Sequence, residues 1–211
     1  MDYNDTHSRY CYPGTNVLIN KLDIRDQETL TNVERTLTAQ RQVELMLNPL
    51  KGSFDLKHLQ DIHKHLFQDV YEFAGEIRTE DIAKDNFMFA PSRFIEPAAQ
   101  DLFKNMQREN FTGVPAEKVA ERAAYHMAEI NVLHPFREGN GRSQRELTRT
   151  FLISKGYEID WSRVDTNRLL EASIRSVSNH KELGKVIDDC LVNRQPEKSL
   201  IREFNDRGLE R

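Results

Sequence analysis

The sequence predicts a mainly helical fold. Three observations support this prediction: apolar residues recur every three or four positions along most of the chain, aspartates stand where helices would begin, and glycine or proline stands where they would end. Residues 77–89 form the segment that resists a helical interpretation. The 211 residues suit one domain of ordinary size, or one domain with a short tail.

The first half of the chain predicts three amphipathic helices. Asp26 caps a helix that runs to about Leu47, and the turn-forming residues 48–52 end it. Asp55 opens a second helix. The apolar stripe of the second helix consists of Leu56, Leu59, Ile62, Leu66 and Phe67. The stripe of the third consists of Ile95, Ala98, Ala99, Leu102, Phe103 and Met106.

Three histidines, His58, His63 and His65, lie on or beside the second helix. His63 and His65 are two positions apart and cannot share a helix face, so we do not expect a pair of metal ligands there. All three are expected to be packed or solvated side chains.

The second half of the chain predicts two helices joined by a loop. Pro115 fits the first turn of a helix that ends near Leu133. Its apolar stripe consists of Val119, Ala123, Met127 and Ile130. A loop follows, and then a helix over residues 146–155, with Gly156 as its stop.

Two more helices are predicted before the chain becomes mostly charged. Asp165 begins a helix that runs to Ser176, and apolar residues at helical spacing mark the next helix over residues 183–191. After residue 195 the composition changes. We therefore expect one domain over residues 1–195 and a charged tail with helical potential over residues 196–211.

The segment that resists the helical interpretation predicts a hairpin. Residues 77–82 and 87–89 are short apolar or β-branched stretches on either side of a plausible turn at residues 83–86. From the residues alone, an ordinary surface hairpin or loop is the favoured interpretation.

Composition limits the classes of function. The formal net charge of −4 argues against a dominant nucleic-acid contact surface. Cys11 and Cys190 have no Cys-x-x-Cys partner, so neither a disulfide framework nor a zinc site is indicated. Residues 1–8 are polar, and no run is long and apolar enough to span a membrane. We expect a cytoplasmic protein that contacts neither nucleic acid nor a membrane.

The most informative segment is residues 134–145, His-Pro-Phe-Arg-Glu-Gly-Asn-Gly-Arg-Ser-Gln-Arg. It combines an imidazole, a carboxylate, two glycines and paired cations at a helix–loop–helix junction. The first turn of a helix presents unpaired N–H groups, and a glycine-containing loop leading into it is a ready anion site. This combination suits chemistry on a polyphosphate.

The arginines of this segment reinforce that interpretation. Arg142 and Arg145 are three positions apart, share a helix face and would point back over the same anion, and Arg149 extends the face by one turn. Each residue alone is more often structural: His134 would be a packed loop histidine and Glu138 a surface charge. Their joint occurrence favours a functional site, because a turn needs neither a histidine nor two arginines on one face.

The segment resembles the Fic motif, His-x-Phe-x-(Asp/Glu)-Gly-Asn-Gly-Arg-x-x-Arg. All its specified positions are met, by His134, Phe136, Glu138, Gly139, Asn140, Gly141, Arg142 and Arg145. Residues 69–78 and 84–87 also resemble segments of the family, and residues 10–14 and 20–24 resemble the N-terminus of stand-alone bacterial Fic toxins. The resemblance covers roughly residues 10–194 and implies an all-α, Fic-type helical bundle with a small β-hairpin flap over the active-site loop.

The resemblance implies adenylyl transfer, in which AMP moves from ATP to a hydroxyl side chain of a target protein. His134 would be the general base, Phe136 a core anchor and Glu138 the Mg²⁺ ligand. ATP would be held by Gly139, Asn140, Gly141, Arg142 and Arg145. Family kinases carry lysine at the position of Gly141, a difference that favours AMP transfer in this chain.

The same resemblance implies protein partners. A flap formed by Lys84, Asp85, Asn86, Phe87, Met88 and Phe89 would dock the target. The target would offer a Tyr, Thr or Ser hydroxyl, and the toxin-like N-terminus suggests type II topoisomerase subunits.

Adenylyl transfer in the family is inhibited by a helix with the pattern (Ser/Thr)-x-x-x-Glu-(Gly/Asn). The glutamate of this helix forms an ion pair with the residue corresponding to Arg145. Ser199 and Glu203 fit this pattern, but Phe204 departs from it. A separate small antitoxin is the alternative that we favour, because the N-terminus resembles that of stand-alone toxins.

Two other functions remain open on the sequence. One is a catalytically idle helical module that binds a nucleotide or a partner, and the other is an enzyme that transfers a different phosphate-containing group. The intact base, carboxylate and arginines favour the adenylyltransferase, as a toxin of a toxin–antitoxin pair or as an effector.

Overall fold

The structure, a computed structural model, describes residues 8–84 and 87–207. Within them the chain forms eight α-helices and a two-stranded antiparallel sheet. The helices are α1 (Gln27–Leu47), α2 (Leu56–Phe67), α3 (Ile95–Gln107), α4 (Ala116–Leu133), α5 (Asn140–Ser154), α6 (Thr166–Arg175), α7 (Lys181–Cys190) and α8 (Lys198–Arg207). The strands are β1 (Ala83–Lys84) and β2 (Phe87–Met88). The predicted mainly helical fold with a small hairpin is confirmed.

The predicted helix starts are confirmed by their capping bonds. The Asp26 side chain accepts from the main-chain N–H of Thr29, and the Asp55 side chain accepts from that of His58. Asp165 caps α6 in the same way. Each carboxylate satisfies a first-turn N–H group that has no acceptor within its helix.

Helix α4 lies at the centre of the core and packs most extensively against α7. Small residues allow the two helices to approach closely. A Cβ atom added to Gly184 of α7 would lie 3.4 Å from Cα of Glu121 in α4, and Ala124 lies beside it. The end of α4 and the start of α5 are thereby held on a rigid support, and the motif connects them.

The hairpin is shorter than predicted. Strand β1 begins at Ala83 and pairs Ala83 with Met88 and Lys84 with Phe87, so residues 77–82 were wrongly assigned to a strand. The physical reason lies in Arg78, whose main-chain N–H donates to the carbonyl of Pro135, so the start of this stretch is bonded to the motif. Only its end, at Ile82, bonds to the residue after β2. The turn residues Asp85 and Asn86 lie outside the described residues.

The C-terminal helix α8 packs against α5. The main-chain N–H of Glu197 donates to the carbonyl of Gly156, just beyond the end of α5, and Phe204 is buried. Across the part of the chain that the structure describes, no helix has the length and apolar character needed to cross a lipid bilayer.

Candidate active site

His134 ends helix α4 in the left-handed region, with φ 46° and ψ 61°. This backbone conformation turns the imidazole out of the helix, where its ring stacks on Phe89 at a centroid distance of 3.8 Å. Its Nδ1 lies 3.2 Å from the carbonyl oxygen of Asn131. A carbonyl can only accept, so Nδ1 carries the proton and Nε2 is the basic atom.

The surroundings of His134 keep the imidazole neutral. Burial lowers its pKa to about 3, and the nearby charges of Arg78 and Lys84 act in the same direction. A general base must be unprotonated before the reaction, so this environment keeps Nε2 available over the whole physiological pH range.

Gly139 sets the entrance to helix α5. It lies immediately before the helix with φ 77°, and a Cβ atom there would lie 2.2 Å from the ring of Phe67, so only glycine fits. The main-chain N–H groups of Asn140, Gly141 and Arg142 form the first turn and have no acceptor within the helix. These three N–H groups, which correspond to the anion site of the sequence-based prediction, can donate to an anion.

Asn140 closes the loop that precedes this site. Its side chain accepts from the N–H of Phe136 at 2.9 Å and donates to the carbonyl of the same residue at 2.7 Å. Phe136 itself is fully buried. The amide of Asn140 therefore shapes the loop, a task that the sequence did not predict, while its main-chain N–H belongs to the anion site.

Glu138 lies beside the anion site. One of its oxygens accepts from the N–H of Gly139 at 2.8 Å and lies 3.5 Å from a guanidinium nitrogen of Arg142. The carboxylate is partly exposed, and a hard oxygen ligand next to a phosphate site fits Mg²⁺. Among the described residues no group of three or more His, Cys, Asp or Glu side chains could hold a metal alone, so phosphate oxygens would complete this site.

The two motif arginines differ in their surroundings. The guanidinium of Arg142 donates to Glu34 at 2.6 Å and to Thr38 at 3.1 Å, and it lies over the ring of Phe67. Glu34 also accepts from the hydroxyl of Tyr71. Sequence analysis missed Glu34 and Thr38, although their spacing places both on one face of α1.

Arg145 has no such acidic support. No carboxylate of residues 8–84 or 87–207 forms an ion pair with it, and burial together with the charge of Arg142 lowers its pKa to about 10. Its Nη1 lies 3.3 Å from the position that a Cβ of Gly141 would occupy, so the side chain points back toward the start of α5. A partly buried, still cationic guanidinium beside the helix N-terminus can bind an anionic ligand.

Arg149 does not extend this anion-binding face, contrary to the prediction. Its guanidinium donates to both carboxylate oxygens of Glu146, at 2.8 and 2.6 Å, and to the carbonyl of Leu45. Both side chains of the pair are nearly buried. Arg149 therefore joins α5 to α1.

Arg78 is a site residue that the sequence did not reveal. It is almost fully buried, and its guanidinium donates to the carbonyls of His134, Glu80 and Ala90. Glu80 and Ala90 lie on either side of the hairpin, so Arg78 ties both ends of the hairpin to the base. His134 lies 56 positions from Arg78 in the sequence, which is why no local pattern indicates this contact.

The hairpin lies next to the base through Phe89, which follows β2 and covers the His134 ring. Of the predicted flap residues, Met88 is 64% exposed, whereas Phe87 packs on Phe89. Lys84 lies in β1 opposite Phe87. Asp85 and Asn86 fall outside the described residues.

The two residues of the predicted inhibitory pattern, Ser199 and Glu203, lie exposed on α8. The start of α8 adjoins Gly156 at the C-terminal end of α5, whereas the anion site is at the N-terminal end of that helix. The structure does not bring Glu203 into an ion pair with Arg145.

Comparison with known proteins gives a consistent result. The Fic/DOC family model matches residues 53–152. The chain is 42% identical, over 98% of its own length, to protein adenylyltransferase VbhT of Bartonella schoenbuchensis, of which it spans 44%. It is 38% identical to the probable protein adenylyltransferase y4lH of Sinorhizobium fredii, over 83% of this chain and 91% of that protein.

Two solved structures share the fold. The N-terminal Fic domain of a putative cell filamentation protein of Bartonella quintana, solved with bound ADP, superposes with a TM-score of 0.81 at 28% identity. That match covers 92% of this chain and 97% of the other. BepC of Bartonella tribocorum, solved with bound AMPPNP, superposes with a TM-score of 0.79 at 26% identity, over 90% and 97% of the two chains.

Proposed function

The chain belongs to the Fic/DOC family, and we propose that it transfers AMP from ATP to a hydroxyl side chain of a target protein. The observation that carries this proposal is the neutral imidazole of His134 at the end of α4, joined to the start of α5 by a short loop that the Asn140 side chain closes. A module that only binds a nucleotide needs no base there. The relatives named as adenylyltransferases support the same activity.

The phosphates of ATP are held by cations and main-chain donors. The first-turn N–H groups of α5 hold the α-phosphate, and the guanidinium of Arg145 donates to the outer phosphates. Arg142, already oriented by Glu34, contributes a second positive charge. Glu138 would hold Mg²⁺, which would supply positive charge to neutralise the phosphates.

The transfer step needs one proton acceptor. The hydroxyl oxygen of the target attacks the α-phosphorus, a new O–P bond forms, and the bond to pyrophosphate breaks. Nε2 of His134 takes the hydroxyl proton. The N–H groups at the start of α5 stabilise the charge that develops on the α-phosphate.

The hairpin positions the target. The main-chain N–H of Phe89 donates to the carbonyl of Ile82, and Lys84 pairs with Phe87. Bonded residues alternate along an antiparallel strand, so the main-chain groups of Met88 point away from β1. An extended target segment can pair with this outer edge and bring its hydroxyl to His134.

Labelled ATP tests the proposed reaction directly. Purified protein is incubated with bacterial lysate and ATP carrying the label on either the α- or the γ-phosphate. AMP transfer labels a protein only from the α-position, and phosphate transfer labels it only from the γ-position. Binding without labelling from either position would identify a module without this activity.

We propose that a separate antitoxin inhibits AMP transfer by this chain. The support for this proposal is Arg145, which has no acidic partner in the described chain, together with the exposed position of Glu203 on α8. Truncation after Pro196 is expected to leave transfer by the purified chain within about twofold of wild type, as would Glu203→Gly. A sharp increase in transfer after either change would identify self-inhibition by the tail instead.

The cellular setting is the remaining part of the proposal. Both cysteines are free, which suits a reducing cytoplasm that also supplies ATP. Type II topoisomerase subunits remain the proposed targets, because the N-terminus resembles that of stand-alone toxins. Mass spectrometry of a modified lysate would identify the actual targets.

A further inference from the structure

His63 of helix α2 is fully buried beneath the motif loop. Its ring stacks on Phe136 at a centroid distance of 3.9 Å and on Phe67 at 4.7 Å. Both neighbours belong to the site: Phe136 is the core anchor of the loop, and Phe67 lies under Gly139 and Arg142. Packing alone would explain an aromatic ring at this position.

The hydrogen bonds of His63 require more than an aromatic ring. Nδ1 accepts from the main-chain N–H of Gly75 at 2.8 Å, and Nε2 lies 2.9 Å from the carbonyl oxygen of Glu138. Since an N–H can only donate and a carbonyl can only accept, the imidazole is the neutral tautomer with its proton on Nε2. One ring therefore connects the segment after α2 with the motif loop.

The carbonyl that His63 holds belongs to a particular peptide group. The C=O of Glu138 and the N–H of Gly139 lie in one plane, so fixing the carbonyl direction fixes the N–H direction. That N–H donates to the carboxylate of Glu138 at 2.8 Å. The orientation of a single peptide group thus links the His63 ring to the carboxylate.

We propose that His63 is a positioning residue, which aims the Glu138 carboxylate and the start of α5 at Mg²⁺ and the phosphates of ATP. This inference rests on the proposed function, because it concerns the same metal and nucleotide. Side chains that orient a metal ligand commonly change metal affinity by about 10- to 100-fold when they are replaced.

The test compares two buried histidines of α2. His63→Phe keeps an aromatic ring between Phe67 and Phe136 but removes both hydrogen bonds. His58→Phe is the matched control, because His58 is also buried and its Nε2 lies 3.0 Å from a carbonyl, that of Leu50, away from the motif. Thermal unfolding of each variant measures the loss of stability that both share.

The readout is Mg²⁺-dependent binding of a non-hydrolysable ATP analogue by calorimetry. His63→Phe is expected to raise the Mg²⁺ concentration for half-maximal binding by at least about tenfold, whereas His58→Phe leaves it unchanged. His63→Gln, which retains a donor for the Glu138 carbonyl, should recover part of the loss. A folded His63→Phe variant with the Mg²⁺ dependence of the wild type would overturn the proposal.

A second measurement keeps the proposal testable if His63→Phe does not fold. Nitrogen-15 NMR of the wild-type ring should show a protonated Nε2 and an unprotonated Nδ1, and adding Mg²⁺ with the analogue should shift the His63 resonances but not those of His58. Unshifted His63 resonances at saturating nucleotide would contradict it. Failure of wild-type protein to label a target from α-labelled ATP would reject the proposed function and leave these binding results independent of it.

Discussion

His134 combines an unusual backbone conformation with an unusual environment. A non-glycine residue in the left-handed region is uncommon, and the ring of His134 in this conformation stacks on Phe89. Burial, which lowers its pKa, would be a disadvantage for a surface histidine but keeps a base neutral. Both features suit the proposed role of His134 as a proton acceptor.

Replacing this base is the first prediction at the residue scale. His134→Ala should reduce AMP transfer about 100- to 10,000-fold, because it removes the proton acceptor. ATP binding should stay near the wild-type level, since the phosphates are held by α5 and the arginines. Single-turnover rates and calorimetric binding measure the two effects separately. Near-normal transfer by this variant would rule out His134 as the base.

The motif arginine without an acidic partner gives a second prediction. Arg145→Met should weaken ATP binding at least about tenfold but leave unfolding stability unchanged or higher, because it removes a partly buried cation that has no carboxylate partner among the described residues. Arg149→Met is the control and should lower stability by about 3–5 kcal/mol, because it leaves buried Glu146 unpaired. Urea unfolding measures the stability of the two variants, and nucleotide titration measures their affinity for ATP. A large stability loss in Arg145→Met would show that Arg145 is structural.

Several residue contacts could not be predicted from the sequence. The motif itself could be recognised because all its residues lie within one short segment, from His134 to Arg145. The supporting contacts were not: Glu34 meets Arg142 from α1, and His63 meets Glu138 from α2. These contacts arise only when distant helices pack together, and a lone glutamate or histidine carries no sequence signal for them.

At the scale of elements, the helices and the presence of a hairpin were predictable, but the start of the first strand of the hairpin was not. Aspartate caps and apolar stripes fix α1, α2 and α6 through local chemistry. The segment before β1 has strand-like composition, but its main chain bonds to the motif loop, so composition alone overestimated the strand. Tertiary bonding therefore decided where β1 begins.

The hairpin gives a prediction at this scale. Met88→Pro removes a main-chain donor that points away from β1, so the hairpin should remain while the KM for the target rises at least about fivefold. Modification of a small-molecule hydroxyl should change little. Phe87→Pro, at a position bonded to Lys84, should instead disrupt the hairpin itself. Unchanged target kinetics in Met88→Pro would show that this edge does not dock the target.

For the whole molecule, buried neutral histidines link stability to pH. Burial lowers the pKa values of His63 and His134 to about 3 from an ordinary 6.5, so the unfolded chain binds protons that the folded chain does not. Their contribution is fully present above pH of about 6.5 and is lost as pH falls toward 3. The packed core positions the catalytic base and also makes the fold sensitive to acid.

This linkage predicts a measurable dependence of the free energy of unfolding on pH. Between pH 6 and pH 4, each of these histidines should lower the free energy of unfolding by up to about 1.4 kcal/mol per pH unit. Urea titrations of wild type and His134→Ala at several pH values measure it, and the variant should show the shallower dependence. Identical slopes for the two proteins would mean that His134 is not neutral and buried in the folded state.

AMP transfer through His134 is the proposed reaction of this molecule. Mass spectrometry of target protein incubated with the purified chain, ATP and Mg²⁺ tests it most directly. The account predicts AMP attached to a Ser, Thr or Tyr side chain with the wild-type enzyme, and no adduct with His134→Ala. A phosphate adduct, or an equal AMP adduct with both proteins, would contradict it.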